Sequence, residues 1–508
     1  MAARPADPVP FAGHSPFADP FPPEPAEVAR VGDLLARLAP SLDAFTEGHA
    51  RAPFPPFVPP EGWIPSGPLP DLGLGADATI DELGELVVNG ARISAPGFLG
   101  FITTGASTVP AAAQAAVAVA GGQRYLLHAF NALEHESLRW LADLCGLPAG
   151  VVGVYSSGGS TANLVALGSA RQAALERLGV DTAEDGQPAG FRGRIYASTL
   201  AHRTIHRAAA VIGLGRRAVT AIPVDRDGRI RLDELDAAMA ADAREGITPI
   251  AVVAIAGTTD TGSVDPIARV VEVARRHGSW VHVDGAYGLV ANAVPALATL
   301  FEGIAEADSW IVDPHKWLAT GVGVGATFVR DEGVMTRAFA EGDAAYLEGS
   351  FRDDPSTAGS QFDVMGGRWA DQGLELSAPP RGVLVWAVLR EIGRAGVVAR
   401  VERHVAFARE VAERARAHPC LELLVEPQLS IACFRYRPAD GSTGAGDSDA
   451  VNRAILDRLR TETGLVPSST VVDGHVAIRP CFINPRTTER EVHDLVAAVV
   501  RFGDDLSA

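Results

Sequence analysis

The sequence predicts an α/β fold in which a mostly parallel central sheet is flanked by helices and followed by a small C-terminal α+β domain. From about Pro96, short apolar strands alternate with Gly-rich turns and amphipathic helices. This pattern is typical of a parallel sheet covered on both faces. Polar residues cluster where the strands end, and such sheets bind ligands beyond the carboxyl ends of their strands. After Arg381 the pattern changes to long helices and few strands, which indicates a separate small domain.

The central region alternates five predicted strands with three predicted helices. The strands are 151–155, 194–197, 250–256, 280–283 and 310–312, and the helices are 160–178, 203–212 and 266–277. Beyond them we expect helices over 382–394, 398–418, 450–463 and 489–501, strands over 421–425, 430–436 and 475–480, and a polar loop over 439–448. We therefore divide the chain into an N-terminal arm (1–95), a large domain (96–385) and a small C-terminal domain (386–508).

The N-terminal arm is rich in proline up to about residue 70. Proline removes backbone donors and breaks helices, so most of this arm is expected to be extended or loosely ordered. One helix is predicted within it, from Glu27 to His49, because Val31, Leu34, Leu35, Leu38 and Leu42 recur at helical spacing. The arm cannot bury that stripe alone, so we expect the helix to pack on the main body or on a second subunit.

Composition and charge exclude several classes of protein. Of the 508 residues, 47% are hydrophobic and 21% charged, which indicates a globular chain. The formal charge of -18 repels phosphate backbones, so nucleic acid is not an expected partner. The four cysteines have no CxxC spacing, which argues against a zinc site, a redox dithiol or a disulfide scaffold. The N-terminus lacks a signal-peptide pattern and the longest low-polarity run, about 109–122, is too short for a membrane span, so a cytoplasmic protein without a membrane partner is expected.

A lysine stands just beyond an apolar strand, in Asp313-Pro314-His315-Lys316-Trp317. Burial of an ammonium lowers its pKa, and the neutral amine attacks a carbonyl to make a Schiff base. Upstream, Asp284 ends a second apolar strand. Pyridoxal phosphate requires such a pair, since the lysine holds the aldehyde and the aspartate pairs with the protonated pyridine nitrogen. Taken alone, Lys316 is better explained as an ordinary surface lysine, and Asp284 is what favours the chemical interpretation.

A glycine turn, Ser157-Gly158-Gly159-Ser160, separates a predicted strand from a predicted helix. Paired glycines let backbone amides approach an anion, and the helix N-terminus adds partial positive charge. The Ser160 hydroxyl can donate as well. A plain helix cap with a tight turn explains the turn equally well. It matches neither a Walker loop nor a GxGxxG motif, which disfavours nucleotide binding.

Three further loop segments contain residues that could carry chemistry. The His202 imidazole could stack on a pyridine ring and reach a substrate carboxylate. Thr258 and Thr259 end a strand and could bond a ring substituent or orient Asp284. Tyr346 lies in a polar stretch, 341–363, that is typical of a lid, and could hand a proton to a carbanion. The structural alternatives are a capping histidine, turn threonines and a packed loop tyrosine.

Together these residues resemble the group II pyridoxal-phosphate-dependent decarboxylases, which include the aromatic-L-amino-acid decarboxylases. The resemblance runs from about Pro96 to the C-terminus. It is carried by Asp284 with Ala286, by His315-Lys316-Trp317, by Gly158-Gly159-Ser160, by 96–101, by Arg381 with Trp386, and by 477–480 followed by Asn484 and Thr487-Thr488. Two features depart from the family pattern. Ala95 stands where histidine is usual, and 121–134 differs from a family segment that shapes the substrate pocket.

The resemblance implies a fold-type I homodimer with both active sites at the subunit interface and a pyridoxal-phosphate-binding large domain. Tyr346 would protonate the substrate carbon after carbon dioxide leaves, which favours an amine over an aldehyde product. Around the cofactor ring, the resemblance implies that Lys316 would form the Schiff base, Asp284 would pair with the ring nitrogen and His202 would stack on the ring. The phosphate would be held by Gly158, Gly159, Ser160 and His315, and the cofactor would be supported further by Thr259 and Ala286. The substrate would be contacted by Phe101, Thr104 and His202, and the last two would receive its carboxylate.

The expected function is decarboxylation of an L-amino acid, aromatic or otherwise bulky, to the amine and carbon dioxide. A second hypothesis keeps the cofactor for aldehyde synthesis, transamination or carbon–sulfur cleavage. A third is a binding or scaffold protein that retains the fold. Arg124 could pair with an acidic substrate or form a surface salt bridge, and the sequence leaves open whether Arg381 reaches the pocket.

Overall fold

A computed structural model describes residues 29–47, 68–69, 71–120, 128–340, 369–438 and 445–507. They fall into two compact units, and the second begins at Ile93 apart from a short earlier stretch. The first unit holds helices α1 (Val31–Glu47) and α2 (Ala76–Asn89), which pair through Arg37 Nε and Asp81 Oδ1 at 2.6 Å. The helix predicted over 27–49 is thus confirmed over 31–47.

Seven strands of the second unit form the central sheet, and five form a smaller sheet. The strands are β1 (Phe98–Leu99), β2 (Val152–Ser156), β3 (Gly193–Ser198), β4 (Val219–Ile222), β5 (Thr248–Ile255), β6 (Trp280–Asp284), β7 (Ser309–Val312), β8 (Gly325–Val329), β9 (Leu421–Val425), β10 (Cys433–Tyr436), β11 (Val466–Val472) and β12 (His475–Arg479). The central order is β2-β8-β7-β6-β5-β3-β4, and all its pairs are parallel except the two that β8 makes. The predicted mostly parallel sheet is confirmed.

Helices cover the central sheet, as parallel strands require. They are α3 (Thr108–Val119), α4 (His128–Leu144), α5 (Gly159–Glu176), α6 (Thr204–Val211), α7 (Leu232–Arg244), α8 (Ile267–Arg276) and α9 (Glu332–Phe339). Every predicted strand and helix of this region is confirmed with ends shifted by no more than one or two residues. Helix α5 buries side chains almost all round, because strands β5 to β8 and helices α6 and α9 surround it.

The C-terminal part is the predicted α+β arrangement, with helices α10 (Gly382–Ala417), α11 (Ala445–Glu462) and α12 (Glu489–Ser507) beside the sheet β1-β11-β12-β10-β9. The two helices expected over 382–394 and 398–418 are confirmed as the two parts of α10, which meet at Gly393, where the backbone is non-helical with a φ of 61°. The loop expected over 439–448 was wrong in part, because α11 begins at Ala445 and 439–444 lie outside the described residues. The strand expected over 430–436 begins at Cys433. The three-domain division remains a prediction.

Strand β1 comes from the N-terminal side of the large region yet joins the smaller sheet. It pairs in parallel with β11, with Phe98 opposite Val466. The segment that follows it, 100–107, therefore runs from the smaller sheet toward the central one.

Among the helices of the described ranges, none has the length and apolarity needed to cross a bilayer.

An aromatic stack joins the central sheet to α10. The Trp317 ring lies 5.0 Å from Tyr287 and 6.5 Å from His404 between ring centroids. Trp317 Nε1 donates to His404 Nδ1 at 3.0 Å, and His404 Nε2 donates to the Asn484 carbonyl at 3.1 Å. His404 is therefore neutral, and burial, helped by Arg403 and Arg400, lowers its pKa to about 3.

Because His404 cannot take up a proton in the folded state until far below its ordinary pKa, we expect acid to destabilise the protein. Between pH 6.5 and 3 the unfolded chain binds a proton there that the folded chain does not, so stability falls as the pH falls. At pH 5 the loss from this group is about 2 kcal/mol. The His404→Gln variant keeps an acceptor and a donor without titrating.

Denaturant unfolding at pH 7.5 and 5.0 measures this effect. The His404→Gln variant should lose less stability between the two pH values than the wild type, by about 2 kcal/mol. Equal losses in the two proteins would contradict the assignment.

Candidate active site

Asp284 and Lys316 follow neighbouring strands of the central sheet. β6 ends at Asp284 and β7 at Val312, and the two strands pair in parallel with Asp284 opposite Ile311. Beyond the strand ends, the Asp313 backbone N–H donates to the Ala286 carbonyl at 3.0 Å. Lys316 Nζ lies 3.2 Å from Asp313 Oδ2, and that carboxylate is buried. The two loops therefore run side by side.

His202 lies within electrostatic reach of both predicted residues. It follows β3, which is separated from β6 only by β5. The pKa of His202 is lowered, chiefly by partial burial, with the Lys316 ammonium adding to the effect and the Asp284 carboxylate opposing it. Although its ring is partly buried, the residue as a whole is exposed, so a ligand can reach it. Three separate segments thus meet at one edge of the sheet.

The glycine turn lies against the Lys316 loop. Gly158 has a φ of 128°, which favours glycine, and α5 begins directly after it. A Cβ on Gly159 would come 2.7 Å from Asp313 Oδ2, and one on Gly158 would come 3.3 Å from His315 Cε1. The turn therefore approaches Asp313 and His315 so closely that a Cβ at Gly159 would clash with the Asp313 carboxylate. Ser160 is exposed beside it.

A hydrogen bond to the backbone fixes the orientation of the His315 ring. Its Nδ1 lies 2.6 Å from the Val324 carbonyl, which only accepts, so Nδ1 carries a hydrogen. Its Nε2 is 3.8 Å from Asp313 Oδ2.

Phe101 and Thr104 lie on the segment that leaves β1. Phe101 has a φ of 55°, unusual for a side chain other than glycine, and is 64% exposed. Its N–H donates to Ser468 Oγ at 2.5 Å, and its carbonyl accepts from Arg479 at 2.9 Å. Thr104 is buried, and Ser107 further along donates to the Ala319 carbonyl at 2.8 Å. This segment therefore runs next to the loop that carries Lys316.

The remaining residues predicted to support the cofactor differ in which of their polar groups already have hydrogen-bond partners. Thr259 is exposed, and its carbonyl accepts from Arg479, whereas the buried Thr258 commits its hydroxyl to Thr261 and Ser263. Ala286 donates its backbone N–H to Asp284 Oδ1 at 3.2 Å. Sequence reasoning placed Arg479 in a motif but missed that it links Thr259 to Phe101.

The sequence left open whether Arg381 and Arg124 contribute to the substrate pocket. Arg381 Nη1 and Nη2 lie 2.7 and 3.0 Å from the Glu375 carboxylate, and its Nε donates to the Gly323 carbonyl at 3.0 Å. This guanidinium is therefore engaged in a structural pair. Arg124 lies outside the described residues, as does Tyr346.

Lys316 is the only lysine in the printed sequence, and all the other residues counted with it as basic are arginines. A guanidinium stays protonated at pH values up to about 12 and makes no Schiff base with an aldehyde under ordinary conditions. Apart from the terminal amine, Lys316 is therefore the one primary amine available. A simple count of residue types reveals this, and sequence reasoning missed it.

Comparison with known proteins agrees with this geometry. Residues 88–437 match the model of the pyridoxal-dependent decarboxylase conserved domain. Tryptophan decarboxylase 1 of Oryza sativa subsp. japonica is 31% identical over 425 residues, which is 79% of this chain and 79% of the relative. L-2,4-Diaminobutyrate decarboxylase of Rhizobium meliloti is 29% identical over 439 residues, 85% of this chain and 83% of the relative. The chain belongs to the pyridoxal-dependent decarboxylase family.

Solved structures of this decarboxylase family share the fold. The crystal structure of Oryza sativa TDC with PLP and tryptamine aligns with a TM-score of 0.83 at 27% identity, covering 96% of this chain and 100% of that one. Pyridoxal phosphate is therefore the cofactor of this decarboxylase.

The residues present fit that cofactor. Ser156 Oγ, Ser198 Oγ, Asp313 Oδ1 and Thr104 Oγ1 are buried without a hydrogen-bond partner in the part of the chain that the structure describes. Ser156 and Ser198 are the last residues of β2 and β3, so they lie at the edge where Asp284 and Lys316 also lie. An unpaired buried polar group costs about 1–3 kcal/mol, which a polar ligand would offset. The first turn of α5, which begins at Gly159, adds backbone N–H groups that can donate to a phosphate.

Proposed function

We propose that this decarboxylase removes the α-carboxylate of an L-amino acid, aromatic or otherwise bulky, and releases the amine and carbon dioxide. One observation carries the proposal: Asp284 and Lys316 follow hydrogen-bonded neighbouring strands, and His202 lies within electrostatic reach of both. Amine, carboxylate and imidazole are the groups that pyridoxal chemistry needs at one sheet edge.

In this proposal the side chains have distinct tasks. Lys316 Nζ carries the cofactor, and Asp313 Oδ2, at 3.2 Å, holds the ammonium when the amine is free. Asp284 keeps a proton on the pyridine nitrogen. His202 and the unpartnered hydroxyl of Thr104 would hold the substrate carboxylate and so fix the orientation in which it leaves. Bound pyridoxal phosphate supplies the sink for the electron pair that the departing carboxylate leaves.

The amino acid is the finer part of the proposal. Tryptophan and diaminobutyrate are the substrates in the names of two similar proteins, which differ in size and charge. The exposed Phe101, held by Ser468 and Arg479 on the segment that leads to Thr104, favours an apolar, bulky side chain. The purified enzyme, incubated with single L-amino acids, should release most carbon dioxide from an aromatic one. Preference for diaminobutyrate or for an acidic amino acid would contradict this choice, and no release from any of them would contradict the function.

Replacing Tyr346 by phenylalanine should raise the ratio of aldehyde to amine. Without the hydroxyl, the carbanion left after decarboxylation loses its proton donor and survives long enough to react with oxygen. The measurement is chromatography of both products under air. Tyr196→Phe is the matched control, since the Tyr196 hydroxyl donates to Asp242 at 2.8 Å on the far part of the sheet. An unchanged ratio in the Tyr346 variant would remove this residue from the proton role, and an aldehyde product in the wild type would favour the aldehyde-synthase alternative.

We also propose that the enzyme is a homodimer with shared active sites. Phe101, and Val322 six residues past Lys316, are 64% and 79% exposed, and a second subunit would cover such apolar groups. Sedimentation at micromolar concentration should give twice the mass of the chain. A monomer that is fully active would contradict the proposal. The cytoplasmic location remains a prediction from the sequence.

A further inference from the structure

A chain of buried polar side chains lies behind the candidate site. Asn163, on α5 one turn after the glycine turn, is 1% exposed. Its amide nitrogen lies 3.1 Å from Asp284 Oδ2 and 3.2 Å from Thr204 Oγ1, and its amide oxygen lies 2.9 Å from His282 Nε2. One side chain thus contacts both Asp284 and the residue that bonds His202.

The chemistry of each group decides which partner donates in the hydrogen bonds between Asn163, Asp284 and His282. The carboxylate of Asp284 only accepts, so the amide nitrogen of Asn163 faces it and the amide oxygen faces His282. His282 Nε2 must then carry a hydrogen. Trp280 Nε1 donates to Ser309 Oγ at 2.8 Å, which leaves the Ser309 hydroxyl to donate to His282 Nδ1 at 2.9 Å. His282 is neutral in this arrangement, in agreement with complete burial, which lowers its pKa to about 4.

The hydrogen bonds that lead from Asn163 through Thr204 to His202 can be assigned in the same way. The second amide hydrogen of Asn163 goes to Thr204 Oγ1, so the Thr204 hydroxyl is left to donate to His202 Nδ1 at 3.0 Å. The Thr204 backbone N–H reaches the same nitrogen at 3.4 Å. His202 Nδ1 is therefore an acceptor, and the neutral ring carries its hydrogen on Nε2.

We propose that Asn163 is a positioning residue that orients the Asp284 carboxylate toward the cofactor and, through Thr204, holds His202 as the Nε2–H tautomer. The proposal rests on the proposed pairing of Asp284 with the cofactor nitrogen. With Asn163 and Ala286 donating to its two oxygens, the carboxylate cannot rotate freely. Without the amide, the carboxylate has to be ordered when the cofactor binds, which weakens binding.

A double-mutant cycle on cofactor affinity tests the first part. Pyridoxal phosphate is titrated into cofactor-free wild type, Asn163→Ala, Asp284→Ala and the double variant. We expect Asn163→Ala to weaken binding by about ten- to a hundredfold, the value of one hydrogen bond to a charged group. Because Asn163 acts through Asp284, adding Asn163→Ala to Asp284→Ala should change the affinity by no more than about threefold.

Two results of this cycle would overturn the inference, and they differ in what else they overturn. Suppose that Asp284→Ala weakens binding, and that Asn163→Ala weakens binding by the same factor in that variant as in the wild type. The positioning role is then wrong while the proposed function stands. If Asp284→Ala binds as tightly as the wild type, the proposed pairing of Asp284 fails as well.

Variants elsewhere separate positioning from general damage to the fold. Asn452→Ala is the matched control, since Asn452 is also a buried asparagine bonded on both sides, to the backbone N–H and carbonyl of Tyr436 at 2.8 and 2.9 Å. It should lower the unfolding midpoint and leave cofactor affinity unchanged, and an equal loss of affinity would overturn the proposal. Should Asn163→Ala fail to fold, His282→Phe, which removes the donor to the Asn163 oxygen, carries the test and should weaken binding in the same direction.

The second part is tested at Thr204 in the holoenzyme. Thr204→Val removes the hydroxyl that donates to His202, whereas Thr204→Ser keeps it. We expect the valine variant to raise KM for the amino acid by about tenfold and the serine variant to restore it. Equal KM values for the two variants would overturn the assignment of the His202 tautomer.

Discussion

Replacing Lys316 by alanine is expected to lower turnover by roughly a thousandfold or more and to remove the absorbance of the lysine-bound cofactor. The physical reason is that the amine at this position makes the covalent bond to the cofactor and releases it to the substrate. No other side chain can take its place, because the sequence contains no second lysine. The measurements are carbon dioxide release and the spectrum of the cofactor-saturated protein.

The single lysine also makes the covalent site easy to locate. Borohydride reduces a Schiff base to a stable secondary amine, so reduced wild-type enzyme should carry one pyridoxyl group, at residue 316. Reduced Lys316→Ala enzyme should carry none there. Lys316→Arg is the matched control: it keeps a positive charge near Asp313, which lies 3.2 Å from the native amine, but makes no Schiff base. A fully active alanine variant, or labelling only at the terminal amine, would rule out the assignment.

Asp284→Asn is the second substitution with a large expected effect. The amide has nearly the same shape but no charge, and its nitrogen can face the pyridine nitrogen only as a donor, so the ring loses its proton. We expect kcat to fall by about a hundredfold or more, because the ring then withdraws electrons poorly, and cofactor binding to weaken by about tenfold. Steady-state kinetics and cofactor titration measure the two effects.

Asp265→Asn provides the matched control for Asp284. Asp265 is also a buried carboxylate, in the loop after β5, and it accepts from the backbone N–H groups of Ile230 and Ile255 at 2.7 and 2.8 Å. Its replacement should lower the unfolding midpoint while leaving the cofactor spectrum unchanged. If both variants lose activity only in proportion to their loss of stability, the role of Asp284 in the chemistry is wrong.

The sequence predicted β2, β3, β5, β6 and β7 of the central sheet because their signals are local, and it missed β4. Each predicted strand is a short apolar run, and three of the five are followed by a turn and a helix. The residues of the site were found for the same reason. Asp284 and His202 come directly at or after such runs, and the glycine turn at 158–159 separates a strand from a helix.

Features that depend on distant contacts were missed. β8 lies between β2 and β7 and runs against both, and nothing local in Gly325–Val329 signals that placement. β1 has only two residues and forms because β11, more than 360 positions later, offers a parallel edge. Arg479 was visible as part of a motif, but its bonds to the carbonyls of Thr259 and Phe101 arise only where the two sheets meet.

Residue identity established the chemistry: one lysine able to form a Schiff base, one carboxylate at a strand end, and two adjacent glycines before a helix. Chain order says nothing about whether these groups meet, since 158 residues separate Gly158 from Lys316. The order of strands in the sheet brings them together, because hydrogen bonding between β6 and β7 puts both strand ends at one edge. Packing of α5 against those strands then places Asn163 between Asp284 and Thr204, a contact that depends on three separate segments of the folded chain.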